Sequence, residues 1–561
     1  FGIRYDILQA RTERHNKLNY AFDFNDPSPV NAQLSGASQA EIGHPLLGGI
    51  QFAGVNGAPR GSYATNLLNI QPRFGAAYAF SSRTSFRAGF GEMFINNEGN
   101  DSSNGFSSSA TQFASTTGVD PTTDNNTPYG HLSDPFPSYV TPAGSSQGLA
   151  TTLGSSVNFE NPHYQVPSLW EYSVSIQQLL SKRDLLDISY SGTRAYNLTD
   201  SVDMNHVSAA YNAQCDVERV GYNPSLPAPR QNCDGTTTAA CVTVGCLGSA
   251  QVTNPFQNVA AFAGTGNYYT NGLISRGALT RPYPQFTSVT QDYTNLVHSW
   301  YNSMQVVASH NVSRSLTVHA AYTWSKTMKA GQVVDIVNGV YGRSISSNDT
   351  PNVLTFSSVF YLPVGRGKAL LGHTNRLVDA ALGGWELSPL YVYTSGKPWS
   401  PGSNFEVMGP LAVNKQDLPP DSSHSYKRLR GVTPCVAYKD TDMGTLVYGP
   451  TYAAAGCTSP ALVRTPNGYA VNHNIVYSGV RLLAVHEFDA SLSKRFAWNE
   501  KLSLQTRLDA FNLLNHPNWN AGGANSFSND PTSLNWGTFS KGPSGPGTSV
   551  RDLQVSGKLI W

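Results

Sequence analysis

Two stretches of strict apolar/polar alternation near the end of the chain constrain its fold more than any other feature. Between Lys501 and Phe511, Leu502, Leu504, Thr506, Leu508 and Ala510 fall on one face, and Lys501, Ser503, Gln505, Arg507 and Asp509 on the other. From 551 to 561, Leu553, Val555, Leu559 and Trp561 share a face with Gly557, and Asp552, Gln554, Ser556 and Lys558 share the opposite one with Ile560. A period of two residues marks a strand. Long strands with one apolar and one charged face suit an all-β fold, an antiparallel transmembrane β-barrel with lipid outside and water within.

The same pattern recurs in segments of 9 to 12 residues at 1–9, 70–80, 84–94, 170–180, 184–194, 299–310, 314–325, 352–362, 384–394, 486–496, 501–511 and 551–561. That length crosses a bilayer at a tilt. Phe74, Ala76, Tyr78 and Phe80 face one way with Phe86, Ala88 and Phe90, against Arg73, Gly75, Arg87 and Gly89; Leu316, Val318, Ala320, Tyr322 and Trp324 repeat the rule against Thr317, His319 and Thr323. The connections alternate in length. Short turns at 81–83, 181–183, 311–313 and 497–500 separate long loops at 10–69, 95–169, 195–298, 326–351, 395–485 and 512–550. A further connection on the short side, 363–383, is expected to hold a helical turn around Leu377–Leu382. Barrels of the outer membrane keep short turns in the periplasm and long loops outside. A soluble β-sandwich or propeller is the rival architecture, but it gives no reason for aromatics to gather at strand ends, as at Trp300, Tyr301, Trp324, Trp385 and Tyr393. Membrane interfaces supply that reason.

Composition agrees. Charged residues make up 13% of the 561, against roughly 25% in ordinary soluble proteins. The balance of 37 basic and 36 acidic residues leaves no electrostatic footprint for nucleic acid. No apolar run reaches the roughly eighteen residues of a transmembrane helix. Phe1, Ile3, Tyr5 and Ile7 already alternate with Gly2, Arg4 and Asp6, so the chain is expected to be a fragment that begins inside a strand. Cys215, Cys233, Cys241, Cys246, Cys435 and Cys457 all fall in loop segments. An even count there favours disulfides over metal sites. Local pairing (215 with 233, 241 with 246, 435 with 457) is the expectation, with the connectivity open.

The segments Ile70-Gln-Pro-Arg-Phe-Gly-Ala-Ala-Tyr78 and Phe86-Arg-Ala-Gly-Phe-Gly91 resemble the barrel of TonB-dependent outer-membrane receptors, in particular the Oar-like group abundant in Acidobacteria. Seven more matches follow in the same order: Arg281–Phe286, Ser299–Ser303, Tyr322–Lys326, Leu362–Lys368, Gly383–Leu387, Ser395–Pro398 and Asp509–Pro517. The resemblance implies a barrel of about 22 strands, of which these twelve are the C-terminal portion. It also implies an N-terminal plug, a regulatory-like β-domain and a TonB-contacting segment, none of them in this chain. Leu559 and Trp561 match the family's barrel-assembly signal, while Ser556 stands where a glycine is usual.

Other motifs weigh less. Gly144-Ser-Ser-Gln-Gly148 matches a nucleophile elbow around Ser146, yet sits in a Ser/Gly-rich loop. His486-Glu487 starts like a zinc-protease helix but lies in an alternating segment with Ala490 where the second histidine belongs. Gly365-Arg-Gly-Lys368 lacks the flanks of a phosphate loop. The stretch 120–126 carries carboxylates without a calcium-loop spacing. Arg73, Arg87, Glu171, Asp187, Arg507 and Asp509 are expected to point into the lumen and pair across neighbouring strands, some of them meeting a plug. Tyr268, Tyr269 and Tyr293 are loop aromatics that can stack on flat ligands, but exposed tyrosines are common in long surface loops and no binding residue is assigned on this basis. No catalytic, metal or cofactor residue is assigned. The expected function is capture of a scarce ligand by external loops and energised uptake into the periplasm. An iron chelate, oligosaccharide, cobalamin or peptide all fit, and an adhesive or structural surface protein of the Oar type is the alternative. The expected partners are outer-membrane lipid, the TonB complex through the missing N-terminal part, and the barrel-assembly machinery.

Overall fold

A computed structural model describes residues 1–95, 143–209, 251–313, 315–399, 476–482, 484–497, 502–516, 518 and 551–561, with isolated short strands between 405 and 464. Twelve strands form one continuous antiparallel path in sequence order. They are β1 (Gly2–Leu8), β2 (Asn66–Ala79), β3 (Thr84–Phe94), β4 (Ser168–Leu179), β5 (Asp184–Asp203), β6 (Ser288–Ser313), β7 (Leu316–Asp335), β8 (Asn352–Tyr361), β9 (Trp385–Thr394), β10 (Val485–Ala497), β11 (Ser503–Phe511) and β12 (Asp552–Ile560). Two further strands join the sheet, Val340–Ile345 beside β7 and Ser156–Glu160 beside β6. Among the described residues no helix is long and apolar enough to cross a membrane.

The register shows why alternation is decisive. One row across the sheet runs Tyr78, Phe86, Ile176, Ile188, Val306, Tyr322, Leu354, Tyr393. The next runs Ala76, Ala88, Val174, Tyr190, Met304, Trp324. Large apolar groups stay uncovered on this face, Trp324 at 59% and Val555 at 79%, as hydrocarbon-facing side chains must. The opposite face carries the row Gly75, Gly89, Ser173, Ser191, Ser303, Ser325, small and polar enough to line water. Every inner strand of the path has a neighbour on both sides, which satisfies its backbone in lipid.

Chain direction puts all short connections on one side. Ser81 and Ser181 cap two of the turns in the same way: Ser81 Oγ accepts the amides of Arg83 and Thr84 at 3.1 Å each, and Ser181 Oγ accepts that of Arg183 at 3.0 Å. Adjacent turns are stitched together, Leu179 donating its amide to Arg83 O at 2.7 Å and Asn311 to Arg183 O at 2.9 Å. The connection after β8 holds the expected helix, Arg376–Leu382, capped by Asn375. Its last-turn carbonyl of Ala380 accepts Lys494 Nζ at 2.5 Å, and Trp385 and Phe496 flank the ammonium at 5.4 and 5.0 Å. Helix C-termini and aromatic faces both favour a cation. That is how a lysine sits buried on the apolar face.

Three strands correct the expected lengths. β5 and β7 each have 20 residues and β6 has 26, so 195–203, 288–298 and 326–335 are strand where loop was expected. They run on past the bilayer on the long-loop side, where both faces touch water or packed loops and a period of two is no longer required. Register shifts between Gln291 and Ser299 mark the change.

The long connections are not loose. Asn19–Pro27 pairs with Leu47–Phe52, Ser156–Glu160 pairs in parallel with Ser288–Asp292, and Gly36–Ile42 is a helix whose Ser35 hydroxyl accepts the Ser38 amide at 3.1 Å. Together with residues 251–287 these enclose a core of Phe22, Ile50, Phe159, Phe256, Phe262 and Phe286. The extracellular side of the barrel therefore carries a folded cap with its own interior.

Candidate functional site

Two surfaces can meet a solute: the polar face of the sheet and the outer cap. On the polar face the six charges Arg73, Arg87, Glu171, Asp187, Arg507 and Asp509 share one side, as the register requires. For Arg507 and Asp509 the partner differs from expectation, and Arg4 and Asp6 follow the same rule. Arg507 Nε meets Asp509 Oδ1 at 2.7 Å and Arg4 Nε meets Asp6 Oδ1 at 2.9 Å, each along its own strand. Residues two apart on a strand point the same way, so the nearest opposite charge is the strand's own.

The cap holds a cavity of about 520 Å³ lined by Tyr20, Asp23, Asp26, Gln51, Asn56 and Ser145 among others. Asp23 organises its wall: Oδ1 accepts the amides of Asn25 and Asp26 at 2.9 and 2.8 Å, and Oδ2 accepts Gln51 Nε2 at 3.0 Å. None of these residues stood out in the sequence. The one local signal is Asp23-Phe-Asn-Asp26, an Asx-type turn.

The Arg281–Phe286 motif anchors this cap to the barrel. Arg281 donates to Thr287 O at 2.8 Å, Asn205 Oδ1 accepts the Tyr283 amide at 2.9 Å, Gln285 Nε2 reaches Leu47 O at 2.7 Å, and Phe286 is wholly buried. Phe22 packs on Tyr283 and Phe286 with ring centroids 5.0 and 5.7 Å apart. Tyr268 corrects an expectation. It lies buried 5.7 Å from Phe262 and donates its hydroxyl to Pro284 O at 3.1 Å, so it is core and offers no face to a ligand. Tyr269 packs partly buried against the same core, and Tyr293 packs 5.4 Å from Tyr164.

Where the cap meets the barrel, Glu160 is buried beside Asp292, its register partner. Burial pushes its carboxyl above the ordinary 4.5; Arg11, at 3.6 Å, and Asp292 pull in opposite directions. A raised folded pKa means that the native state holds its proton where the unfolded chain has lost it. The stabilisation is then full below pH 4.5 and is lost as pH rises through the folded value. Glu160→Gln is expected to flatten that dependence, leaving the cap's melting temperature unchanged in acid and higher than wild type at pH 8. Thermal melting followed by near-ultraviolet circular dichroism reads this; a slope unchanged by the substitution would assign it elsewhere.

At the rim, Arg481 forks onto Asp349, with Nη2 to Oδ2 at 2.6 Å and Nη1 to the Asp349 and Gly396 carbonyls at 3.0 and 3.2 Å. The Asp509–Pro517 motif closes the outer end of β11. Asn512, in left-handed backbone with φ 48°, donates its amide to Asp489 and brackets His516 through its side chain.

The remaining motifs resolve locally. Ser146 lies in a 3-10 turn, Gly144–Ala150, and donates to Ala143 O at 2.7 Å. His486 and Glu487 lie on β10, and the His486 ring contacts Tyr391 and Tyr393. Gly365, at φ +120°, lets the chain close on Asp379 of the periplasmic helix; a Cβ there would come within 2.5 Å of its carboxylate. Residues 120–126 and all six cysteines, Cys215, Cys233, Cys241, Cys246, Cys435 and Cys457, lie outside the described residues.

Among solved structures, the chain is similar to the outer-membrane transporter YddB of Escherichia coli (9% identity, TM-score 0.35, 88% of this chain and 40% of that one). It is also similar to the ferripyoverdine receptor of Pseudomonas aeruginosa (9%, 0.31, 91% and 34%) and to the ferric enterobactin receptor PfeA of the same organism (8%, 0.33, 88% and 40%). The chain thus spans two fifths or less of the length of these transporters. No curated protein matches. The chain has an apolar belt, a polar inner face and long connections on one side, and the family's pattern matches residues 1–554; it belongs to the outer membrane beta barrel domain family and resides in the outer membrane.

Proposed function

We propose that this chain is the barrel portion of a TonB-dependent receptor of the Oar-like kind, which captures a scarce ligand at its outer cap and releases it inward through the polar lumen. The observation that carries the reading is the folded cap: it holds a cavity with a polar wall, beside a sheet whose polar face includes a full row of glycine and serine. The nine motifs shared with Oar-like receptors support the finer placement. Plug, regulatory-like β-domain and energy-coupling segment belong to the rest of the protein. Leu559 and Trp561 serve as the assembly signal on the apolar face of β12. The barrel performs no chemistry; its contributions are a satisfied backbone in lipid and a shaped mouth.

Carboxylates at Asp23 and Asp26 beside Gln51 and Asn56 favour a ligand rich in hydroxyl or amine donors, an oligosaccharide or peptide, over a polyanionic iron chelate. Uptake of labelled oligosaccharides and peptides by cells carrying the full-length gene tests this. Accumulation should stop when the proton gradient is collapsed and when Asp23→Ala is introduced. Steady ion conductance from the protein in planar bilayers, without any energy source, would sink the receptor reading in favour of a passive pore. The packed cap also suits a second role, adhesion. A gene deletion that abolishes surface attachment and leaves uptake of every labelled class intact would establish it.

A further inference from the structure

One connection on the periplasmic side departs from its siblings. The turns at Ser81 and Ser181 are tight and polar, whereas residues 363–383 leave four leucines uncovered: Leu370, Leu371, Leu377 and Leu382 are all exposed, Leu377 at 84%. None of the four belongs to a crossing strand.

The segment that displays them is held in shape. Leu370 donates its amide to Pro363 O at 2.8 Å and Gly365 donates to Leu370 O at 2.9 Å, while Lys368 reaches Gly365 O and Gly367 reaches Gly372 O at 3.0 Å each. Leu371 sits in left-handed backbone at φ 58°, where bulky side chains are uncommon. The helix Arg376–Leu382 is fastened at its last turn, because Trp385 Nε1 donates to Ala381 O at 3.0 Å and Lys494 Nζ to Ala380 O at 2.5 Å. Trp385 and Lys494 are register partners on the apolar face of β9 and β10. The helix therefore abuts the periplasmic edge of the apolar belt.

Charge completes the pattern. Arg366, Lys368 and Arg376 are exposed, and the one carboxylate between 363 and 383, Asp379, is half-buried with Oδ1 accepting the Arg366 amide at 2.7 Å. Leucines interspersed with cations, at the level where hydrocarbon gives way to headgroups, characterise an element that lies in the bilayer interface. Cations at that level are drawn to anionic phospholipid.

We propose that residues 363–383 form a foot that inserts its leucines into the inner leaflet of the outer membrane and holds anionic phospholipid headgroups with Arg366, Lys368 and Arg376. Continuity with the apolar belt is what favours lipid over a periplasmic protein as the occupant. The foot lies on the opposite side of the membrane from the cap, so it stands or falls independently of ligand uptake.

The test uses the whole chain refolded into nanodiscs of phosphatidylcholine alone or of phosphatidylcholine mixed with phosphatidylglycerol. Hydrogen–deuterium exchange over residues 366–382, followed by mass spectrometry, is the readout, and the cap helix Gly36–Ile42 is the internal reference. Exchange of the foot should be at least ~5-fold slower with phosphatidylglycerol, and high salt should remove the difference, while the cap helix exchanges alike in both discs. Arg366→Gln, Lys368→Gln and Arg376→Gln together should erase the lipid preference. Leu370→Asn with Leu377→Asn should speed exchange in both discs. Equal exchange of the wild type in the two discs overturns the proposal, as does a preference that survives loss of the three cations or an exchange rate indifferent to loss of the leucines. If the triple variant does not refold, the wild-type comparison at low and high salt decides.

Discussion

Replacing Phe286 by alanine should melt the cap and leave the barrel folded. The side chain is wholly buried, packs on Phe22, and sits in the motif that ties residues 281–287 to both the barrel strand β6 and the hairpin at 19–52. Removing a buried phenyl ring costs about 3–5 kcal/mol. A cap of short elements joined by loops is a small domain with little stability to spare, so the loss is comparable to its whole stability. The barrel has a separate source of stability in its interstrand hydrogen bonds within lipid. Limited trypsin digestion of refolded protein should therefore cut the variant within the cap segments 10–65 and 251–287, which hold Arg11, Arg14, Lys17, Arg60, Arg276 and Arg281, while its heat-modifiable migration on gels persists. Loss of both together would show that cap and barrel fold as one unit.

Arginine at two successive positions of β6 should have opposite consequences. Val306 lies in the row with Ile188 and Tyr322, facing hydrocarbon, whereas Gln305 lies with Ser189 and Thr323 on the polar face. A cation midway across the lipid face costs about 2–4 kcal/mol; on the wet face the same residue costs under about 1 kcal/mol. Val306→Arg should lower the urea midpoint of unfolding from liposomes sharply, and Gln305→Arg should scarcely move it. Equal effects would mean that the two faces see the same solvent, and the membrane assignment would fail with them.

The difference between those two positions was readable from the chain because lipid imposes a rule on every residue of a crossing strand. All twelve expected segments are strands, and Leu504, Leu508, Val555 and Leu559 share a face. β3 spans 84–94 as expected. The periplasmic helix was expected around Leu377–Leu382, and the structure shows it capped by Asn375 and ended at Gly383. Outside the membrane that rule lapses. β5, β6 and β7 continue through residues without alternation, and nothing periodic announces them.

The cap was illegible for a deeper reason. Its core joins Phe22, Phe159, Phe256 and Phe286, residues far apart in sequence and carried on elements too short to show a period. Tyr268 therefore looked like a surface aromatic and proved to be interior. A groove on the apolar face was hidden too: Tyr190, Met304 and Trp324 come from three strands, and only their alignment makes a cavity. By itself the sequence determined the strands, their faces and the side on which the long connections lie, because a two-sided solvent writes its demand into each neighbouring pair of residues. Tertiary structure alone decided the folded cap, the ion pairs along single strands and the groove, because those depend on which distant residues meet, and contacts between distant residues leave no local pattern.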